Sequence, residues 1–238
     1  MAKPRLYTPQ KLAANAKATL VGDDLHYLKN VMRQGIGDML LLFNETDGEF
    51  DSRILSASKK EIVAEQVTCK RSPSDERLPD TELIFPPIRH SRQDMLVEKA
   101  TELGVKTLSP ALMKNSAIKN INTARAYIIA KEAAEQSERL SVPQINPLVK
   151  LGDILARFDF KSRTLVYLDE RRVSATKQLP GIKGPVSFLV GPEGGFAPEE
   201  FAALEKTPAV GVNLGRLVLR AETAAIAILT LHNLGGAK

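Results

Sequence analysis

The sequence predicts a two-part α/β protein: a small β-barrel, then a domain in which strands and helices alternate. Three observations carry that expectation. Through about residue 72, short apolar runs are separated by closely spaced turn signals, the pattern of a small all-β unit. From Thr81 onward, apolar runs of strand length alternate with longer helix-like runs, which argues for α/β units. Between them, Lys70–Pro79 holds Ser, Asp, Glu and two prolines with few apolar residues, and reads as a linker. The expected domains are therefore 1–72 and 73–238, a division that a chain of 238 residues accommodates.

In the first part, Met39–Phe43 reads as a strand, Asn44–Gly48 as a turn, Phe50–Leu55 as a second strand and the alternating Glu61–Val67 as a third. Gly35 and Gly37-Asp38 punctuate the stretch before them. In the second part, Thr81–Phe85 reads as a strand. Ser91–Leu103 reads as a helix, with Met95, Leu96, Lys99 and Leu103 at helical offsets and Gly104 ending it. Val105–Leu108 is a short strand before Pro110, and Ile121–Leu140 a long helix with Ala126, Ile129, Ala130 and Ala133 on one side. Thr164–Leu168 is a strand followed by the polar run Asp169–Arg172. Val186–Val190, apolar apart from Ser187 and bounded by Pro185 and Gly191, suits a buried strand. Pro198 opens a helix with Glu199 and Glu200 in its first turn, where a missing N–H costs nothing and acids suit the dipole. Val210–Leu214 is a last short strand, and Ala221–Leu234, without Gly or Pro, a buried helix.

Two glycine-bearing loops are the most informative features. Gly191-Pro192-Glu193-Gly194-Gly195 follows one strand, and Gly215-Arg216-Leu217-Val218-Leu219-Arg220 follows another. Loops at the carboxyl edge of an open α/β sheet are where such folds bind ligands. Glycine lets the backbone approach a ligand without a Cβ in the way. The spacing is not the Gly-x-Gly-x-x-Gly of a dinucleotide site, and no Gly-Lys-Ser/Thr follows, so a phosphate cradle is poorly supported. Arg220, just before a helix start, calls for an anionic partner: Glu222, another acid or a phosphate.

With both loops in view, the chain resembles the RsmE family of 16S ribosomal RNA uridine-N3 methyltransferases, in the SPOUT superfamily. The resemblance rests on Val97-Glu98-Lys99-Ala100-Thr101-Glu102-Leu103-Gly104-Val105, on Glu132-Ala133-Ala134-Glu135-Gln136-Ser137-Glu138-Arg139, and on the two loops. Arg5-Leu6-Tyr7, His26-Tyr27-Leu28, Val31-Met32-Arg33 and Gly37-Asp38 extend it to the N-terminal part. The similarity runs nearly end to end, with the motifs in family order. It implies a PUA-like β-barrel preceding a SPOUT-type α/β methyltransferase domain that ends in a trefoil knot, a homodimer, and S-adenosylmethionine as cofactor. The chain departs from the family after Leu214-Gly215, where Arg216 and Leu217 replace a small residue or Pro and then Arg. It departs again at Ala197, where a Ser or Thr cap is usual, and at Met113-Lys114-Asn115-Ser116.

The resemblance implies a cofactor held against Leu168, Leu189, Gly191, Pro192, Glu193, Gly195, Leu214, Gly215, Val218, Leu219 and Ala221, mainly through backbone groups. The implied reaction is in-line attack of uridine N3 on the cofactor's methyl group, with 16S rRNA of the small subunit as partner. N3 carries a proton at neutral pH, so a catalyst must remove it or stabilise the uridine anion. Arginine stays protonated and cannot be the base. The candidate catalytic residues are Glu193, Arg139 and Arg220. Glu193 is either a proton acceptor beside the cofactor or a carboxylate that fixes its loop. Glu132, Gln136 and Arg139 fall on one helical face, as a functional cluster, a helix-surface polar network or a dimer contact. Arg5 and Arg33 in the barrel, and Arg92 and Lys99 on one helix face, are candidate RNA contacts. A non-catalytic RNA-binding assembly protein, and the same fold acting on another base, are the competing readings.

Composition bounds these readings. Hydrophobic and charged contents of 43% and 26% are ordinary for a globular protein. No apolar run reaches membrane-spanning length, and Met1–Lys11 lacks the apolar core of a signal peptide. A single cysteine, Cys69, excludes an intrachain disulfide and reads as an inert half-buried residue; a cytoplasmic protein is the expectation. His26, His90 and His232 are too scattered for a metal site. The net charge of +5 is modest, but Leu103–Lys131 carries Lys106, Lys114, Lys119, Arg125 and Lys131 with no acid, a stretch suited to a phosphate backbone or to a solvated basic surface. With no Trp and only Tyr127 nearby, base stacking is not its main device.

Overall fold

The computed structural model describes residues 3–171 and 182–236; Arg172, the end of the expected polar run, lies outside them. The chain packs as two compact units, Met1–Arg77 with Ala134–Val142, and Leu78–Ala133 with Pro143–Lys238.

The first unit is a five-stranded sheet. Its strands are β1 (Arg5–Tyr7), β2 (Lys17–Leu20), β3 (Met39–Asn44), β4 (Gly48–Ala57) and β5 (Ile62–Arg71), in the order β1-β3-β4-β5-β2. β1 lies parallel to β3, and the other neighbours are antiparallel. Between β2 and β3, α1 (Gly22–His26) runs into a π-helical turn at Tyr27–Val31 that carries Leu28 into the core. Leu28, Leu40, Leu42, Ile54, Ile62 and Ala64 form the centre of that core. Period-two burial in β3 and the first half of β5 makes one face apolar. β4 and β5 are longer than their apolar runs. The last residues of β5 are exposed, yet they pair with the start of β4 through Glu49–Arg71, Phe50–Cys69 and Asp51–Thr68. Three register shifts along that pair bend and twist the ladder. Cys69 is exposed rather than half-buried, lying in the exposed second half of β5.

The second unit is built on a parallel sheet. Its elements are β6 (Thr81–Phe85), α2 (His90–Glu102), β7 (Thr107–Leu112), α3 (Thr123–Gln136, the residues from Ala134 on belonging to the first unit), β8 (Gln144–Ile145), β9 (Val149–Lys150), α4 (Leu151–Arg157), β10 (Thr164–Leu168), β11 (Val186–Leu189), α5 (Pro198–Glu205), β12 (Val210–Val212) and α6 (Ala221–Gly236). The strand order is β12-β10-β11-β6-β7-β8, with β9 pairing to β7. The chain builds outward from β6 through β7 in one direction and fills in β10, β11 and β12 in the other. The carboxyl ends of β10, β11 and β12 therefore lie side by side. Ile84, Leu165, Tyr167, Leu189, Phe196 and Leu204 belong to one buried cluster of this unit.

Two expectations need correcting. β7 continues through Pro110, which is paired to Phe85 of β6. On its other side the neighbouring ladder is interrupted: Leu108 faces Ile145 of β8, and pairing resumes only at Ala111 with Val149 of β9. Proline sits in that interruption, where a missing N–H costs no ladder bond. The helix expected over Ile121–Leu140 is shorter at both ends. Asn122 caps it, its Oδ1 accepting from Arg125 N–H at 3.0 Å. Beyond Gln136, Glu138 takes a left-handed conformation with φ of 60° and turns the chain away. Arg139 is therefore not on the helical face shared by Glu132 and Gln136.

Candidate active site

The loops after β10, β11 and β12 enclose a cleft of about 700 Å³, counting space open to solvent. Its floor and walls come from Leu168–Glu170, from Val190–Glu193 with Gly195, Phe196 and Phe201, from Val212–Gly215 with Leu217–Leu219, and from Ala221 and Ala224 at the start of α6. Ten of the eleven residues expected to hold the cofactor line it: Leu168, Gly191, Pro192, Glu193, Gly195, Leu214, Gly215, Val218, Leu219 and Ala221. Leu189 does not; it is fully buried in the core beneath.

The first glycine loop is shaped from several directions. Gly195 has φ of +69°, a conformation that side chains other than glycine rarely adopt. A Cβ on Gly191 would stand 3.1 Å from the Phe196 ring, so the loop folds tightly over that aromatic. Asn115 donates from Nδ2 to the carbonyls of Gly194 and Gly195 at 3.2 and 3.1 Å. Ala197 has no capping oxygen, and Glu200 supplies the bond instead: its carboxylate accepts from Ala197 N–H and Lys114 N–H, both at 2.8 Å. Lys114 is also ion-paired to Glu199. The segment Met113–Ser116 thus braces the loop.

Asn213 organises the second loop. Its Nδ2 donates to the Glu170 carbonyl at 2.9 Å, and its Oδ1 accepts from Gly215 N–H at 2.7 Å, tying the end of β10 to the turn after β12. Beyond it Leu217 and Val218 are 82% and 78% exposed beside the cleft.

Among the described residues, every charged side chain lining the cleft is acidic: Asp169, Glu170 and Glu193. Asp169 is buried and neutralised by Arg171, which donates through Nε and Nη2 at 2.9 and 3.0 Å. That hydrogen-bonded pairing raises the Arg171 pKa, and the guanidinium also stacks 3.3 Å over the Phe201 ring. Glu193 lies at the rim, 3.4 Å from Arg92 Nη1. Arg92 Nε is in turn 3.7 Å from the buried Glu222. Glu222 therefore partners Arg92. Arg220 is exposed and has no ion-pair partner among the described residues.

The remaining predicted site residues fall elsewhere. Lys99 on α2 is held between Glu98 and Glu102 at 2.7 and 2.8 Å, which raises its pKa. Arg33, in the first unit, is exposed with φ of 54°. Arg5, also in the first unit, does not suit an RNA contact: its side chain is only 9% exposed, pairs Glu49 at 2.6 Å, stacks 3.6 Å over Phe43 and donates to the carbonyls of Ala134, Glu135 and Arg139. Arg139 belongs to the same unit and is 5% exposed, with Nη2 3.2 Å from Ser141 Oγ. Burial pushes its pKa down to about 10, against the opposing pull of Glu76. A guanidinium so enclosed holds the turn after α3; it does not present itself to a substrate. Asp169, Glu170, Asn213, Phe201 and Asn115 escaped the sequence reading as site residues. The polar run after β10 and the Asn-x-Gly before the second loop were the available signals. Among the described residues no cluster of three metal-ligating side chains occurs.

Comparisons with known proteins agree with this architecture. An RNA methyltransferase domain family model matches residues 75–233, and an RNA methyltransferase PUA domain model matches residues 20–67. The chain is 30% identical to the ribosomal RNA small subunit methyltransferase E of Rickettsia conorii over 242 residues, covering 98% of this chain and 96% of that protein. It is 27% identical to the Bacillus subtilis protein of the same name, covering 94% and 92%. The structure of the Neisseria gonorrhoeae methyltransferase E bound to S-adenosylmethionine superimposes with a TM-score of 0.86 at 25% identity, over 96% of each chain. The first unit is PUA-like and the second is a SPOUT-type α/β methyltransferase domain with a parallel sheet. The chain belongs to the RsmE family of small-subunit ribosomal RNA methyltransferases.

Proposed function

We propose that this protein methylates N3 of a uridine in 16S rRNA of the small ribosomal subunit, with S-adenosylmethionine bound in the cleft between the two glycine loops. The observation that carries the reading is the cleft itself, closed by backbone-rich loops at the carboxyl edge of a parallel sheet, in a chain of the RsmE family. Its walls fit the cofactor: apolar Leu168, Val218 and Leu219 for the adenine, backbone groups of Gly191 and Leu214 for hydrogen bonds, and acidic side chains facing a cation. When bound, the cofactor supplies an electrophilic methyl group on a positively charged sulfur.

The chain's own residues then have separable tasks. Transfer forms the N3–carbon bond with the N3 electron pair, leaves the old carbon–sulfur pair on sulfur and releases the N3 proton. Glu193, a carboxylate at the rim, accepts that proton, and Arg92 at 3.4 Å orients it. Arg220, with no ion-pair partner among the described residues, stabilises negative charge on a uracil oxygen or clamps a phosphate. Arg33, exposed in the PUA-like unit, contacts the RNA backbone. A homodimer belongs to the same reading, because exposed Leu217 and Val218 form an apolar surface that a second copy would cover. A cytoplasmic location follows from the substrate.

The test is nucleoside analysis of small subunits lacking the modification, after incubation with the protein and methyl-labelled cofactor. 3-Methyluridine in 16S rRNA is the expected product. A different methylated base would transfer the fold to another substrate. No methylation by a protein that binds the subunit would favour the non-catalytic RNA-binding reading.

A further inference from the structure

We propose that Glu170 makes the cleft select the positively charged methyl donor over its demethylated product, so that loss of the sulfonium charge drives product release. The inference rests on the reading that S-adenosylmethionine occupies the cleft.

The protein as a whole is basic, at +5, yet among the described residues the charged side chains lining the cleft are all acids. Two of the three are already answered. Asp169 is doubly bonded to Arg171, and Glu193 lies 3.4 Å from Arg92. Glu170 has no ion-pair partner among the described residues, so its negative charge remains directed at whatever occupies the cleft. Its backbone is pinned by Asn213, which donates to its carbonyl at 2.9 Å. Its Oε1 comes within 4.0 Å of the position a Cβ would take on Gly195. The carboxylate therefore faces the bare backbone of the first glycine loop across the cleft.

Donor and product share the adenine, ribose, ammonium and carboxylate. They differ by one methyl group and one positive charge on sulfur. Contacts made by backbone groups and apolar walls are nearly the same for both. Among the described residues, the uncompensated carboxylate of Glu170 is the feature that distinguishes them, through Coulomb attraction that neighbouring protein and partial exposure leave only partly screened.

Calorimetric titration of the full chain with S-adenosylmethionine and, separately, with S-adenosylhomocysteine tests this, on wild type and on Glu170→Gln. The substitution keeps size and removes charge on an exposed side chain. Expected is a loss of donor affinity of about three- to tenfold with product affinity unchanged, and a wild-type preference that shrinks as salt rises. Glu205→Gln, an exposed acid outside the cleft lining, serves as control and leaves the ratio of the two affinities as in wild type. Equal weakening of both ligands would place Glu170 on the shared ammonium group, and no weakening would remove it from the site; either result overturns the proposal alone. Absence of saturable binding of both ligands to wild type would overturn the cofactor reading, and this inference with it.

Discussion

The Arg5 guanidinium meets the Glu49 carboxylate at 2.6 Å, with side chains only 9% and 8% exposed. Arg5 also donates to three carbonyls at the end of α3 and the turn after it, where a cation is favoured by the helix dipole. Burial lowers the Arg5 pKa, and the hydrogen bond to Glu49 opposes that shift. Segment Ala134–Val142 is thereby fastened into the first unit, with Leu140 packed beside Tyr7 and Phe43.

Removing one partner of this pair leaves the other charge buried. Glu49→Gln is expected to lower unfolding free energy by about 2–4 kcal/mol, read from the urea midpoint. A change within about 0.5 kcal/mol, the range of ordinary surface substitutions, would mean that Arg5 is balanced by its carbonyls alone.

Gly191→Ala addresses the first loop. The new Cβ would approach the Phe196 ring at 3.1 Å, so the ring or the loop must yield. The expected result is cofactor affinity weakened about tenfold or more in a protein that still folds, in line with the cost of overpacking. Titration with S-adenosylmethionine beside a thermal melt separates the two effects.

Arg220→Ala should behave in the opposite way to Glu49→Gln. The side chain is exposed and makes no internal ion pair among the described residues, so stability should change by no more than about 0.5 kcal/mol. Methyl transfer to small subunits should fall by at least about tenfold if the group stabilises charge in the transition state. Unchanged turnover would rule out that role.

His232 on α6 packs edge-on against Phe188, ring centroids 5.2 Å apart, and burial lowers its pKa from the ordinary 6.5. The fold therefore favours the neutral ring. Between the lowered value and 6.5 the unfolded chain binds more protons than the folded one, so stability rises with pH across that window. The contribution is fully present above 6.5 and is lost as pH falls through the folded-state value. Urea midpoints measured between about pH 5 and 7 should show an acid limb that His232→Leu flattens.

Local periodicity determined most of the second unit. β6 and β10 occupy the residues expected of them, and α2 and α6 differ from expectation only at their ends. Apolar spacing and terminating glycines act within a few residues, so they can be read along the chain. The two glycine loops and the family were legible for the same reason. β1 and β2 were not, because strands of three and four residues carry too little pattern and are held by partners distant in sequence.

What the sequence by itself determined, then, was the α/β class, the barrel-like first part, the loops that wall the cleft and the family. Only the tertiary structure decided which charges are consumed and which remain available. Arg5, Arg139 and Lys99 look alike in sequence to Arg33 and Arg220, yet the first three are enclosed or paired. It also decided that Pro110 lies within a strand and that Ala134–Val142 joins the first unit. The physical reason is common to all of these. Burial, ion pairing and strand register depend on groups brought together from far apart in the chain, and no spacing within a single segment encodes them.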